Sequence, residues 1–309
     1  MTEEKQGRMA MILAMIISGT IGFFVVSSDQ SPFNVVFFRC AIGGAGLTLY
    51  CLCKGFYRSL HITWRQAGIL ALGALTLIFN WVFLFSAYKL TSIGITTIIY
   101  HLQPFFLLFS SMLFMKEKVK RSHLIWLILA FVGLVIIVRP EEAALDQKFY
   151  MGCLSASVAA VLYAVTTLLT RQISTELRPE VIASSHMVIG TLIFLFIADF
   201  TVLPTTRVHW GALITLGLFH TTFMYLLLYT AFKKAATASL AVFSFLYPLV
   251  ALIVDYFAFG HLISVSQGLG AILILASGLA YNYGIVIPFL ERRAAEAAQA
   301  NPELENSKT

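Results

Sequence analysis

"YHLQPFFLLFSSMLF", residues 100–114, and "SFLYPLVALIVDYFA", residues 244–258, lie 144 positions apart, with Pro104 in register with Pro248. Each proline falls near the middle of a long apolar run. A proline has no amide hydrogen to give the carbonyl four residues back. Pro104 therefore frees the carbonyl of Tyr100, and Pro248 that of Ser244. Free carbonyls inside a membrane-length run are tolerated only where protein or a cavity satisfies them. Two such breaks at matching positions predict a paired hinge rather than two incidental kinks.

The echo continues outward. "FSAYKLTSIG" (85–94) lies over "YTAFKKAATA" (229–238), with Ala87 on Ala231, Tyr88 on Phe232 and Lys89 on Lys233, and Gly73 falls on Gly217. At the second apolar run the shift becomes 147, placing Pro32 on Pro179 and Arg39 on His186. Matches held at nearly one shift across several runs identify an internal repeat.

The bulk composition says what solvent the repeat sits in. Of 309 residues, 59% are hydrophobic and 12% charged, with a mean hydropathy of +0.85. A soluble domain carries roughly a quarter charged residues. Runs of about 20 apolar residues, enough for a helix to cross a bilayer, recur along the chain. We read ten spans, at about 9–26, 33–53, 67–88, 92–115, 122–138, 150–170, 179–200, 208–232, 235–259 and 265–288. The first follows the polar head "MTEEKQGR" without a convincing cleavage site and reads as a retained helix. The fold class expected is an all-α integral membrane protein. Its parts are a cytoplasmic N-terminus (1–8), a five-helix repeat (9–138), an outer linker (139–149), a second five-helix repeat (150–288) and a polar, disordered tail (289–309).

Ten spans leave both termini on one side, and the basic residues choose it. With the termini cytoplasmic, 16 of the 21 lysines and arginines fall inside, only Lys89, Arg139, Lys148 and Arg207 fall outside, and Arg39 lies within a span. The net charge of +6 is thus a topology signal, not a nucleic-acid footprint. Five spans per copy, an odd number, require the second copy to enter the membrane upside down. Inverted repeats with a midplane site between them are a recurring transporter plan.

Each half resembles an EamA-type unit of the drug/metabolite transporter superfamily. The resemblance rests on "SPFNVVFFR" (31–39), "SAYKLTSIGITTIIYHLQPFFLLFSSMLFMKEKV" (86–119) and "TAFKKAATASLAVFSFLYPLVALIVDYFAFGHLI" (230–263), and covers about residues 8–288. It implies a ten-helix transporter with a central cavity, moving amino acids (aromatic ones among them), other metabolites or drugs outward across a bacterial inner membrane. The chain departs from the pattern in two places. Glu117 keeps the acidic residue after the fourth span, whereas the second copy has His261, and the first span reads "GTIGFF" where such units often carry Trp-Gly.

Depth selects the candidate substrate-binding residues. Tyr100, His101 and Gln103 surround Pro104, with His101 sharing a helix face with the proline and Tyr100 sharing the next with Gln103. Asn80 and Trp81 fall in span three, Tyr163 in span six, His220 and Tyr225 in span eight, and Tyr247 beside Pro248. Polar groups at this depth point into a bundle or cavity. Aromatic rings interleaved with Asn, His and Gln suit a zwitterionic or aromatic solute. For most of the phenylalanines, lipid-facing filler is the simpler reading. Arg39 and His186 are counterparts toward the outer and inner side. Arg39 either captures a substrate carboxylate, or serves structurally by bonding backbone carbonyls or snorkelling to the interface. Its fit to the loose family pattern favours the structural role.

Asp199 and Asp255 are placed near outer span ends and Glu117 at an inner one, so no carboxylate reaches midplane. That favours facilitated diffusion, or weak proton coupling through His101, His186 or His220. Cys40, Cys51, Cys53 and Cys153 read as apolar fillers, and neither metal nor cofactor is expected. The expected partners are a small solute and the lipid bilayer, the chain acting as a monomer rather than a homodimer. Small residues at "AIGGAG" (41–46) and "GLGAILILASG" (268–278) allow close helix packing, inside the chain or between copies.

A membrane-embedded transferase would need paired acids, H-E-x-x-H or a phosphate-cradling loop, and none is present. A channel would need a polar stripe along its length. A nucleotide-sugar carrier, or an importer of the same fold, remains the alternative; the former would show lysines and arginines at midplane.

Overall fold

The computed structural model describes residues 2–58, 60–90, 93–116, 119–138, 147–259 and 264–285. Glu117, Arg139, His261 and the tail 289–309 lie outside the described residues, as do the side chains of Lys89 and Asp255. Every regular element among the described residues is helical. The helices are α1 (Glu3–Ser18), α2 (Ile21–Ser27), α3 (Pro32–Cys53), α4 (Trp64–Leu90), α5 (Ile93–Tyr100), α6 (Gln103–Phe114) and α7 (Arg121–Val138). They continue with α8 (Gln147–Ile173), α9 (Pro179–Phe194), α10 (Arg207–Gly217), a π-helical turn (Leu218–Phe223), α11 (Met224–Lys234), α12 (Thr237–Phe243), α13 (Leu246–Phe259) and α14 (Val265–Asn282). Taken together, seven helical stretches are long and apolar enough to cross a membrane, and Ile98–Phe114, Arg121–Ile137 and Pro179–Phe194 are shorter apolar helices.

Local chemistry sets the boundaries. Ser31 accepts the amide of Asn34 ahead of Pro32, giving α3 a side-chain cap and a proline in its first turn. Gly55, at φ +68°, ends α3 in the left-handed conformation while the Phe56 amide bonds the carbonyl of Cys51. Thr63 and Gln66 exchange side-chain and amide bonds ahead of α4, and Ser264 and Gln267 do the same for α14. The expected N-terminal polar head is not separate from the first span: residues 3–8 already belong to α1. Span seven ends sooner than expected, because α9 stops at Phe194 and Asp199 lies in the following connection. There the hydroxyl and amide of Thr201 hold the Asp199 carboxyl below the usual carboxylate range.

The main packing is between the first and second halves of the chain. The most extensive helix pairings are α4 with α8, α7 with α14, α3 with α9, and α1 with α11. Small residues permit the closest of them. A Cβ on Gly133 would lie 2.7 Å from the carbonyl oxygen of Gly270, and one on Gly270 would lie 2.5 Å from that of Gly133. Gly44 abuts Met187 and Gly190 abuts Cys40, an antiparallel register for α3 and α9. Both small-residue clusters therefore serve contacts within the chain. Cys40 and Cys51 are buried free thiols. Large apolar side chains such as Phe196, Phe257 and Phe109, exposed by 87%, 80% and 65%, cover the outside, as a lipid-facing surface requires.

Candidate functional site

The helix carrying Pro104 breaks at His101–Leu102, between α5 and α6, and the helix carrying Pro248 breaks at Ser244–Phe245, between α12 and α13. In both cases the proline lies two or three residues past the break, in the first turn of the new helix, where its missing amide hydrogen breaks no bond. The break changes the face assignment made from helical spacing: His101 and Pro104 are not on one continuous helix. His101 stands in the turn and stacks on Tyr247 (ring centroids 5.5 Å apart, planes at 15°), with Phe245 at 5.6 Å. Tyr100 turns to α4 and α8. Its hydroxyl accepts from Asn80 Nδ2 at 3.2 Å, and its ring lies 6.1 Å from that of Tyr163. The other hydrogen of Asn80 Nδ2 goes to the carbonyl of Ala159 at 2.7 Å, so Asn80, fully buried, fixes α4 against α8.

Arg39 is 2% exposed, which rules out snorkelling. Its guanidinium carbon lies 4.5 Å from the Trp81 ring centroid, a cation–π contact. Its Nε donates to Thr221 Oγ1 at 3.4 Å, and that is its one hydrogen bond among the described residues. No carboxylate pairs with it among the described residues, and no carbonyl accepts from it. Arg171 shows the structural alternative, donating from Nη1 to the carbonyls of Phe232 and Ala235 at 3.0 and 2.6 Å. Trp81 meets Tyr225 edge to face at 6.2 Å, and Tyr225 packs on Tyr229 at 5.5 Å. The Tyr229 hydroxyl lies 2.6 Å from His186 Nδ1, while His186 Nε2 faces Gly73 without a hydrogen-bond partner among the described residues.

The structure thus joins Arg39, Trp81, Tyr225 and His186 in one buried chain, and Asn80, Tyr100, Tyr163, His101 and Tyr247 in another. Gln103, 7% exposed, opens α6 one turn from them. His220 stands apart: its Nε2 is 2.6 Å from Thr20 Oγ1 and its ring faces Phe24, against the break between α1 and α2. Tyr229, Thr221 and Thr20 are not among the residues that depth in the sequence selects. Only the four-residue spacing of Tyr225 and Tyr229 could flag Tyr229 as sharing a buried face.

Two open grooves lie away from these residues, one of about 570 Å³ between Phe37, Phe38, Gly46, Trp210 and Leu218 and one of about 330 Å³ lined by Pro32, Phe33, Val82, Ser86 and Leu90. Both are predominantly apolar and neither touches the aromatic cluster.

Polar contacts also close one end of the bundle. Glu4 accepts from the Ala236 amide at 2.9 Å and the Ser239 hydroxyl at 2.8 Å. Arg8 pairs with Glu4 at 2.9 Å and lies over the Tyr281 ring at 5.6 Å. At the start of α3, Asn34 bonds both the amide and the carbonyl of Asp199 at 2.8 Å.

The model of the EamA-like transporter family matches residues 5–139 and, separately, residues 150–283. An uncharacterized transporter, YxxF, of Bacillus subtilis (strain 168) is 30% identical over 270 residues, covering 86% of each chain. The pseudopaline exporter CntI of Pseudomonas aeruginosa (strain UCBPP-PA14) is 29% identical over 225 residues, 69% of this chain and 74% of its own. A solved crystal structure matches the fold with a TM-score of 0.80 at 18% identity, over 94% of this chain and 99% of the other.

Proposed function

This chain belongs to the EamA-like transporter family, and from that premise we propose that it exports a small metabolite by alternating access between two inverted five-helix halves. Ten spans with both termini cytoplasmic, in a bacterial inner membrane, fit the asymmetry of basic residues. The inverted halves are supported by the 144-residue shift and by the pattern of packing. Trp81 touches Tyr225 and His101 touches Phe245, both pairs being direct counterparts at that shift. A residue that meets its own counterpart lies on the axis relating two copies.

The observation that carries the reading is the position of the buried aromatic cluster. His101, at one helix break, contacts Phe245 and Tyr247 at the other, which supports a site that a rocking motion of the halves would open to either side. Its composition, with tyrosine hydroxyls, an amide, imidazoles and indole faces, suits an amino acid or similar polar metabolite. All of these groups come from one chain, so a monomer suffices.

The test is transport by purified protein in proteoliposomes, screened against amino acids, cationic drugs and nucleotide sugars. Alanine at Tyr100, His101 or Trp81 is expected to reduce transport of the carried solute at least about tenfold, the size of one lost buried polar or aromatic contact. Unchanged transport in all three variants would refute the location of the path.

A further inference from the structure

Arg39 is a buried cation without a counter-charge among the described residues. Such a group is strongly disfavoured in an apolar interior unless something neutralises it. A guanidinium has five N–H donors. Here Nε is committed to Thr221, and the Trp81 face covers one side of the plane. Thr221 is itself fixed. It sits in the π-helical turn, and its hydroxyl donates to the carbonyl of Leu216 at 2.8 Å, five residues back. With its hydrogen so used, Thr221 Oγ1 presents only lone pairs to Arg39. The π turn therefore orients the guanidinium, and Nη1 and Nη2, the parallel pair that grips a carboxylate end-on, have no acceptor among the described residues. π turns of this kind are frequent at functional sites.

We propose that Arg39 is the anion-recognition residue of the transport site, so that the exported solutes carry a carboxylate, held end-on by Nη1 and Nη2 over the face of Trp81. The inference deepens, and rests on, the reading of the chain as an exporter. The carboxylate supplies the missing counter-charge, and solutes lacking it leave Arg39 buried and unpaired. The site thus discriminates acids from their own amides. Thr221 is a positioning residue, and Trp81 both screens the cation and reports on what joins it.

That reporting role supplies the test. The chain has four tryptophans. Replacing Trp64, Trp126 and Trp210 by Phe leaves Trp81 as the one indole emitter. The purified protein is titrated with phenylacetate and, separately, with phenylacetamide, which matches it in shape without the charge. We expect saturable quenching of Trp81 by phenylacetate, at least about tenfold tighter than by the amide, lost in R39Q and partly kept in R39K. Thermal stabilisation of the unsubstituted protein by the same two probes must show the same preference, so the result does not depend on any variant folding. Equal binding of acid and amide, no saturable response to phenylacetate, or an unchanged response in R39Q would overturn the assignment. Fluorescence needs no transport: a wild-type protein that carries nothing in proteoliposomes refutes export, whereas the Trp81 signal decides Arg39.

Discussion

Substituting Gly270 by Ala tests the packing that joins the halves. A Cβ at Gly270 meets the carbonyl oxygen of Gly133 at 2.5 Å and Cγ1 of Ile137 at 2.9 Å. Ordinary van der Waals contact begins at 3.4 Å, so α7 and α14 must separate by about 0.9 Å (3.4 less 2.5 Å) along that line. The obstacle is backbone on a facing helix, not a flexible side-chain end. Overpacking of this sort costs about 1–3 kcal/mol. Gly268, two residues earlier on the same helix, has nothing within 4 Å of its notional Cβ. Alanine there removes only the conformational freedom of glycine and stabilises by about 0.5–1 kcal/mol. The two substitutions add the same methyl group to the same helix and should differ by about 1.5–4 kcal/mol in opposite directions. The assay is thermal unfolding of the detergent-solubilised protein, followed by size exclusion. G270A should melt below wild type and G268A at or above it, with G133A resembling G270A because the clash is mutual. Equal melting of G270A and G268A would refute the close approach of α7 and α14.

Asn34→Ala leaves both the amide and the carbonyl of Asp199 without their buried partner. A loss of about 2–3 kcal/mol is expected, measured by thermal or denaturant unfolding. Glu4→Ala removes the acceptor for the Ala236 amide ahead of α12, whose own N-cap residue has no side chain able to cap. About 1 kcal/mol of protection should vanish, read as roughly fivefold faster hydrogen exchange over residues 236–243, with exchange in α9 unchanged.

The prolines make two helix breaks legible in the sequence, because a preference for the first turn of a new helix is a property of one residue. The break at Gly19–Thr20 and the π turn at Leu218–Phe223 carry no such mark. They come from tertiary partners: Thr20 meets His220, and Thr221 meets Arg39 across 182 residues. Face assignments that assume an unbroken helix fail for His101, where the chain turns between α5 and α6. Tyr229 is hidden among aromatics that look like lipid filler, since its burial against His186 depends on a helix far off in sequence. The small residues promise close packing, but only geometry says that Gly133 finds Gly270 rather than another copy of the chain. Arg39 is visible in the sequence as a charge in a span. Whether it has a counter-charge is not, because that depends on every helix around it.

The four main helix pairings have a consequence for how the molecule is made. Each joins an element before residue 139 to one after 146, namely α1 to α11, α3 to α9, α4 to α8, and α7 to α14. While the ribosome is still translating the second half, α1, α3, α4 and α7 are already made and their chief partners are not. Within the first half only smaller pairings such as α3 with α4 and α5 with α7 are available at that stage. The last helix among the described residues, α14, closes the seam against α7, so that pairing is made only after the rest of the described helices exist. A truncation that removes α14 strands α7, and a stall after residue 146 leaves α1, α3, α4 and α7 without the second-half helices they pack against.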